Sequence, residues 1–226
     1  MLTVPLGSLA ESLFSFLMTA ALVLSFVMVG SHWLRNHIIA FATESWVIAV
    51  LSASVAYYGH YQELYIIAVL TALFRGMLLP YLLLRLVNRL DIHREFRPLF
   101  RPASGMLTGA LLIVVAFALS SSIGDKLKVS NSIALMALTA MFGLMLIGFL
   151  LMVVRSEAIS HILGLLVIEN GIFLGSQILI PGFAILLELV ILFDLLIIVM
   201  TFGILVRYLK THAGTTSSQE LQKLVG

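Results

Sequence analysis

Two runs decide the fold: R-S-E-A-I-S-H-I-L-G-L-L-V-I-E-N-G-I-F-L-G, from Arg155 to Gly175, and L-L-E-L-V-I-L-F-D-L-L-I-I-V-M-T-F-G-I-L-V-R-Y-L-K, from Leu186 to Lys210. Pro181 and Gly182 mark a turn between them. Each run is long and apolar enough to be a membrane-spanning helix, and neither shows the period-two alternation of a barrel strand. Glu169, Glu188 and Asp194 nevertheless sit inside them. An ionised side chain at a helix centre costs roughly 2.5–3.5 kcal/mol on insertion scales, so carboxylates placed there are functional candidates.

The rest of the chain has the same character. Of its 226 residues, 61% are hydrophobic and 11% charged, too apolar for a water-soluble domain. The expectation is an all-α, polytopic membrane protein with seven transmembrane helices, at approximately 8–30, 37–57, 62–88, 103–122, 130–154, 157–180 and 183–209. The first run has no basic residues ahead of it and no small-residue cleavage pattern behind it, which reads as a retained helix. There is no cysteine, which excludes disulfides, iron–sulfur ligation and thiol catalysis by this chain.

Basic residues alternate between the ends of the segments. Arg35, Arg85, Arg89, Arg94, Arg97, Arg101, Arg155, Arg207, Lys210 and Lys223 fall on one side, and Lys126 and Lys128 on the other. Cytoplasmic loops concentrate Lys and Arg, so the amino terminus is expected outside and the carboxyl terminus in the cytoplasm. The loop Asp91–Pro102 is basic and broken by Pro98 and Pro102, whereas the tail from Ala213 to Gly226 is polar.

The last basic residue, Arg75, lies at the centre of the third segment. It stays charged and is a poor proton carrier, so its expected role is charge pairing with a carboxylate such as Glu44, two turns from the inner end of the second segment. Glu169 is near the middle of the sixth segment, and Asp194 somewhat outward of the middle of the seventh. Glu188 lies about a turn and a half from the outer end of the seventh. Desolvation opposes ionisation and a nearby cation favours it, so such carboxylates can be set to take up and release protons. Glu169, Asp194, Glu44 and Glu188 are therefore the proton-path candidates. Ser176 and Thr201, seven residues beyond Glu169 and Asp194, offer hydroxyls that could hold water.

Glu188 and Asp194 are about 120° apart around their helix, so one of them is free to serve as a helix fastener instead. Gly164, Gly171 and Gly175 form a small-residue stripe suited to close helix packing. The six histidines form no i, i+4 pair, no metal or haem site is expected, and no catalytic site or cofactor is called. The first three and last three segments share a layout, with Phe74-Arg75 in one half standing as Phe193-Asp194 does in the other. This suggests a parallel three-helix repeat joined by the uncharged fourth segment. The units are then 1–90, a loop and linker helix at 91–129, a second triplet at 130–212, and a tail at 213–226.

From about Phe142 to His212 the sequence resembles the K subunit of respiratory complex I and the C subunit of multisubunit sodium/proton antiporters. The features that carry the likeness are Arg155 at the turn, L-L-V-I-E-N-G around Glu169, and an acidic residue about 13 positions before Arg207. With the extra helices ahead of this module, the chain looks like hydrogenase-4 component E of membrane-bound hydrogenase and formate hydrogenlyase complexes. The resemblance implies a non-catalytic membrane-arm subunit whose carboxylates belong to a proton-translocation path. Its partners would be antiporter-like and complex I-like membrane subunits and a cytoplasmic redox arm. The resemblance maps the first family carboxylate onto Glu169. It maps the second onto Asp194, although the family usually has glutamate there and Glu188 stays a rival. A cation/proton antiporter subunit and a purely structural membrane scaffold are the alternative functions. Membrane lipid is an expected contact and nucleic acid is not.

Overall fold

The computed structural model describes residues 7–31, 33–89, 102–126, 131–155 and 158–193, with Leu196, Met200, Gly203 and Ile204. The described residues are helical, with no strand among them. Helix α1 is Ser8–Gly30 and α2 is Leu34–Gly59. Helix α3 is a continuous rod made of Glu63–Leu70, a π-helical stretch Thr71–Leu78 and Leu79–Arg89. Then follow α4 (Pro102–Lys126), α5 (Ser132–Val154) and α6 (Ala158–Leu179). A single 3-10 turn, Pro181–Phe183, opens α7, which is described as an apolar helix over Pro181–Phe193. Among the described residues six helices have the length and hydropathy to cross a membrane. The all-helical, multi-pass reading therefore stands, with α2 beginning three residues earlier and α4 ending four residues later than the sequence suggests. The loop around Asp91–Arg101 and the tail 213–226 lie outside the described residues.

Local chemistry sets several of these boundaries. His60 adopts a left-handed conformation, φ 58°, and turns the chain between α2 and α3. The Asn131 side chain accepts a bond from the Ile133 amide at 2.9 Å and caps α5. The widened stretch of α3 ends just before Pro80, whose ring would clash with the carbonyl four residues earlier in a regular α-helix. Loosening to i→i+5 pairing, as in the bond from the Leu79 amide to the Phe74 carbonyl, lets the rod pass the proline. The sequence reading treats this segment as uninterrupted, and Pro80 is the signal it passes over.

The glycine stripe on α6 packs against α5, as expected. A Cβ on Gly148 would lie 2.5 Å from the Gly164 carbonyl oxygen, and one on Gly164 would lie 2.7 Å from that of Gly148. Backbones this close are held by dispersion and weak polar contacts, which lipid tails do not out-compete. Helix α2 is central, packing against α1, α3 and α6 through buried Ile38, Phe41, Ile48 and Leu51. Helix α4 sits at the margin against α1 and α5, and Leu107, Leu111 and Val114 point away from the protein.

Arg155, counted from sequence as a loop cation, is instead buried at 3% exposure. Its Nη2 donates to the Ser31 carbonyl at 2.6 Å and the Val29 carbonyl at 3.3 Å, while His37 Nε2 lies 3.0 Å from the same Ser31 oxygen. The guanidinium thus supplies partners to carbonyls that α1 leaves open at its end, where a cation is also favoured by the helix dipole.

Candidate functional site: a buried charge cluster across four helices

Arg75 is the largest fully buried side chain in the protein's described part. Its position four residues after Thr71 puts both on one face of α3, turned toward α7 and α6. From there Nη2 reaches Glu188 Oε2 at 3.3 Å, with the two side chains 1% and 0% exposed. Thr71 Oγ1 donates to the other Glu188 oxygen, Oε1, at 2.8 Å. Helix α3 therefore grips α7 through both oxygens of one carboxylate.

The second arm of the guanidinium turns to α6. Arg75 Nη1 donates to Asn170 Oδ1 at 2.8 Å, and the Asn170 amide nitrogen donates onward to Glu44 Oε1 at 3.3 Å and to Ser45 Oγ at 3.4 Å. The Arg75 plane also lies 5.1 Å from the centroid of the Phe173 ring, a cation–π distance. Asn170, Glu44, Ser45, Thr71 and Glu188 are all fully buried.

The charge count gives the cluster its chemistry. Two carboxylates face one permanently charged guanidinium, so with both ionised the cluster is negative, and one added proton makes it neutral. A low-dielectric site favours neutrality, and Asn170 links the two carboxylates through the same cation. The arrangement can hold one proton, with Glu188 and Glu44 as alternative seats.

Sequence reasoning placed Arg75 with a carboxylate such as Glu44. The structure gives the direct ion pair to Glu188 and leaves Glu44 one amide removed, because α7 rather than α2 faces the Nη2 side of Arg75. Asn170, the neighbour of Glu169 in the sequence, is an α6 residue that meets Arg75 and Glu44. Glu169 is half-buried and about 100° around the helix from Asn170. Asp194 lies outside the described residues. Ser176, expected as a water holder, donates its hydroxyl to the Phe173 carbonyl at 2.8 Å, so that proton is spent on its own helix. Thr71 and Ser45 were not singled out from sequence. The i, i+4 spacing of Thr71 to Arg75 is the signal that marks the first. Among the described residues no group of three or more His, Asp or Glu gathers where a metal would bind.

No protein-family model matches the chain, and no solved structure matches it. The chain is similar to the uncharacterized protein Rv0085 of Mycobacterium tuberculosis, with 30% identity over 151 residues, 66% of this chain and 67% of the relative.

Proposed function

This chain belongs to the same family as the mycobacterial protein Rv0085, and we propose that it is a non-catalytic membrane-arm subunit of an energy-converting redox complex of the hydrogenase or formate hydrogenlyase type. In this reading it lies in the cell inner membrane with its amino terminus outside. It contributes Glu44, Glu188 and Arg75 to a proton path, with Glu169 and Asp194 as further carboxylates of the same path. Its neighbours are antiporter-like and complex I-like membrane subunits and a cytoplasmic redox arm.

One observation supports the reading above the others: two fully buried carboxylates share one buried guanidinium across α2, α3, α6 and α7. A scaffold needs one acid per base. The second acid, held through Asn170, adds a proton site that packing alone does not require. The scaffold reading draws on the same ion pair, since Thr71 and Arg75 together fasten α3 to α7.

Glutamine replacement separates the two. Glu188→Gln and Glu44→Gln keep size and hydrogen bonding but remove titration. In membranes carrying the intact complex, each is expected to lower redox-driven proton movement, followed by a pH-sensitive dye, at least tenfold while the complex stays assembled. Wild-type pumping in both variants would leave only the scaffold. Purification of the tagged chain is expected to bring down a nickel–iron hydrogenase; recovery with antiporter subunits alone would overturn the redox assignment.

A further inference from the structure

Helices α2 and α6 run in the same direction, being four crossings apart, and they touch through polar side chains at two levels. The first is Glu44 with Asn170. The second is Ser52 with Gln177, where Ser52 Oγ lies 2.8 Å from Gln177 Oε1 and 3.0 Å from the Ile48 carbonyl, its one hydrogen shared between them, and both residues are fully buried. Ser52 is eight residues beyond Glu44 and Gln177 seven beyond Asn170, so each step is about 10–12 Å at 1.5 Å per residue. The two levels are in register on facing helices.

Each level has one polar atom left over. Glu44 Oε2 and Gln177 Nε2 are both buried and have no hydrogen-bond partner among the described residues. One is an acceptor and the other a donor. A buried amide nitrogen without a partner costs about 1–3 kcal/mol, so a small polar guest at Gln177 is favoured. At the midpoint between the levels the residues are apolar. Ile48 stands midway from Glu44 to Ser52, Phe173 and Leu174 midway from Asn170 to Gln177, and all three are fully buried. Beyond Ser52, one turn further along the same face, Ala56 lines a hollow of about 400 Å³ shared with Tyr57, Tyr58, His60, Gln62 and Tyr65 at the end of α2.

We infer that Ser52 and Gln177 form a water-binding station reached from the hollow at the Gly59 end of α2, and that Ile48 and Phe173 seal it from the charge cluster. The ligand is water, which satisfies the Gln177 amide by accepting from it. The inference rests on the proton-path reading for its purpose, since a hydrated half-channel ending at an apolar seal serves a proton that must cross to Glu44. Phe173 ties the seal to the charge cluster, because the Arg75 guanidinium lies over its ring. A shift of Arg75 away from Glu188 would take a partner from the seal.

The cysteine-free chain permits a direct test that does not depend on activity. Ser52→Cys and Ile48→Cys are made one at a time in the full chain within its native complex, in sealed vesicles of each orientation. A membrane-impermeant methanethiosulfonate reagent is added, and modification of this chain is read by mass. The thiolate reacts only where water reaches it. Ser52→Cys is expected to be modified from the Gly59 side at least tenfold faster than from the other, and Ile48→Cys from neither. A Ser52→Cys thiol that resists the reagent from both sides, or an Ile48→Cys thiol that reacts as fast as it does, overturns the station and its seal. Gln177→Leu checks the same point by function, with an expected loss of several-fold in proton movement. Full pumping in Gln177→Leu alongside the loss expected of Glu44→Gln would overturn the station and leave the proton path standing.

Discussion

Helix α6 is held in two opposite ways on its two faces. Gly164, Gly171 and Gly175 fall on one side, and Asn170, Phe173 and Gln177 lie about 120–180° away from it, at 100° per residue. The glycine face meets α5 at near-touching backbone distance. The other face meets α2, α3 and α7 through a cation, two carboxylates and amides. In lipid, close packing is the inexpensive way to join helices and buried charge the expensive one. Helix α6 uses the first on one side and the second on the other.

That contrast can be broken from either face. The largest effect is expected from Arg75→Met, which leaves Glu188 buried without its cation and should cost about 3–5 kcal/mol. The thermal unfolding midpoint of the purified protein in detergent should fall accordingly, and Arg75→Met with Glu188→Met should recover most of the loss. An unchanged midpoint in the single variant would mean that the ion pair does not hold the crossing. On the glycine face, Gly148→Leu must push α5 off the Gly164 backbone and should cost about 1–3 kcal/mol. Its midpoint should drop while labelling of a Ser52→Cys thiol stays as in the parent, because the polar face is not involved. The smallest effect belongs to Thr71→Val, about 0.5–1.5 kcal/mol for one hydrogen bond to Glu188. It sharpens the comparison by weakening the α3–α7 grip while leaving the charge count intact, so proton movement should persist where Glu188→Gln loses it.

Fold class and the packing role of the α6 glycines were legible in the sequence because each depends on local composition and spacing. The partner of Arg75 was not. Glu188 is 113 positions away, and periodicity states which face of a helix a side chain occupies without saying which helix it meets. The sequence reading places Glu188 about a turn and a half from the outer end of its helix, as a rival of Asp194. A guanidinium side chain is long enough to reach that level from the middle of α3, and reach is invisible in a per-helix reading. Asn170 was seen only as the neighbour of Glu169, yet the register of α6 makes it the residue that joins the two halves of the cluster. Arg155 shows the converse, a residue whose loop position suggested solvent but whose fold gives it backbone carbonyls.

That last contact has a consequence for how the protein is made. Arg155 closes the exposed end of α1, yet it is separated from Ser31 by 124 positions. At typical synthesis rates of 5–20 residues per second, roughly 6–25 s pass between the two leaving the ribosome. Throughout that interval the Ser31 carbonyl lacks the Arg155 guanidinium, with His37 of α2 the earlier partner within reach. Helix α1 can pack on α2 early, but its end is completed only after the fifth helix has been made. Ribosome-bound chains that stop short of Arg155 should therefore keep the first helix extractable, and those that run past it should not.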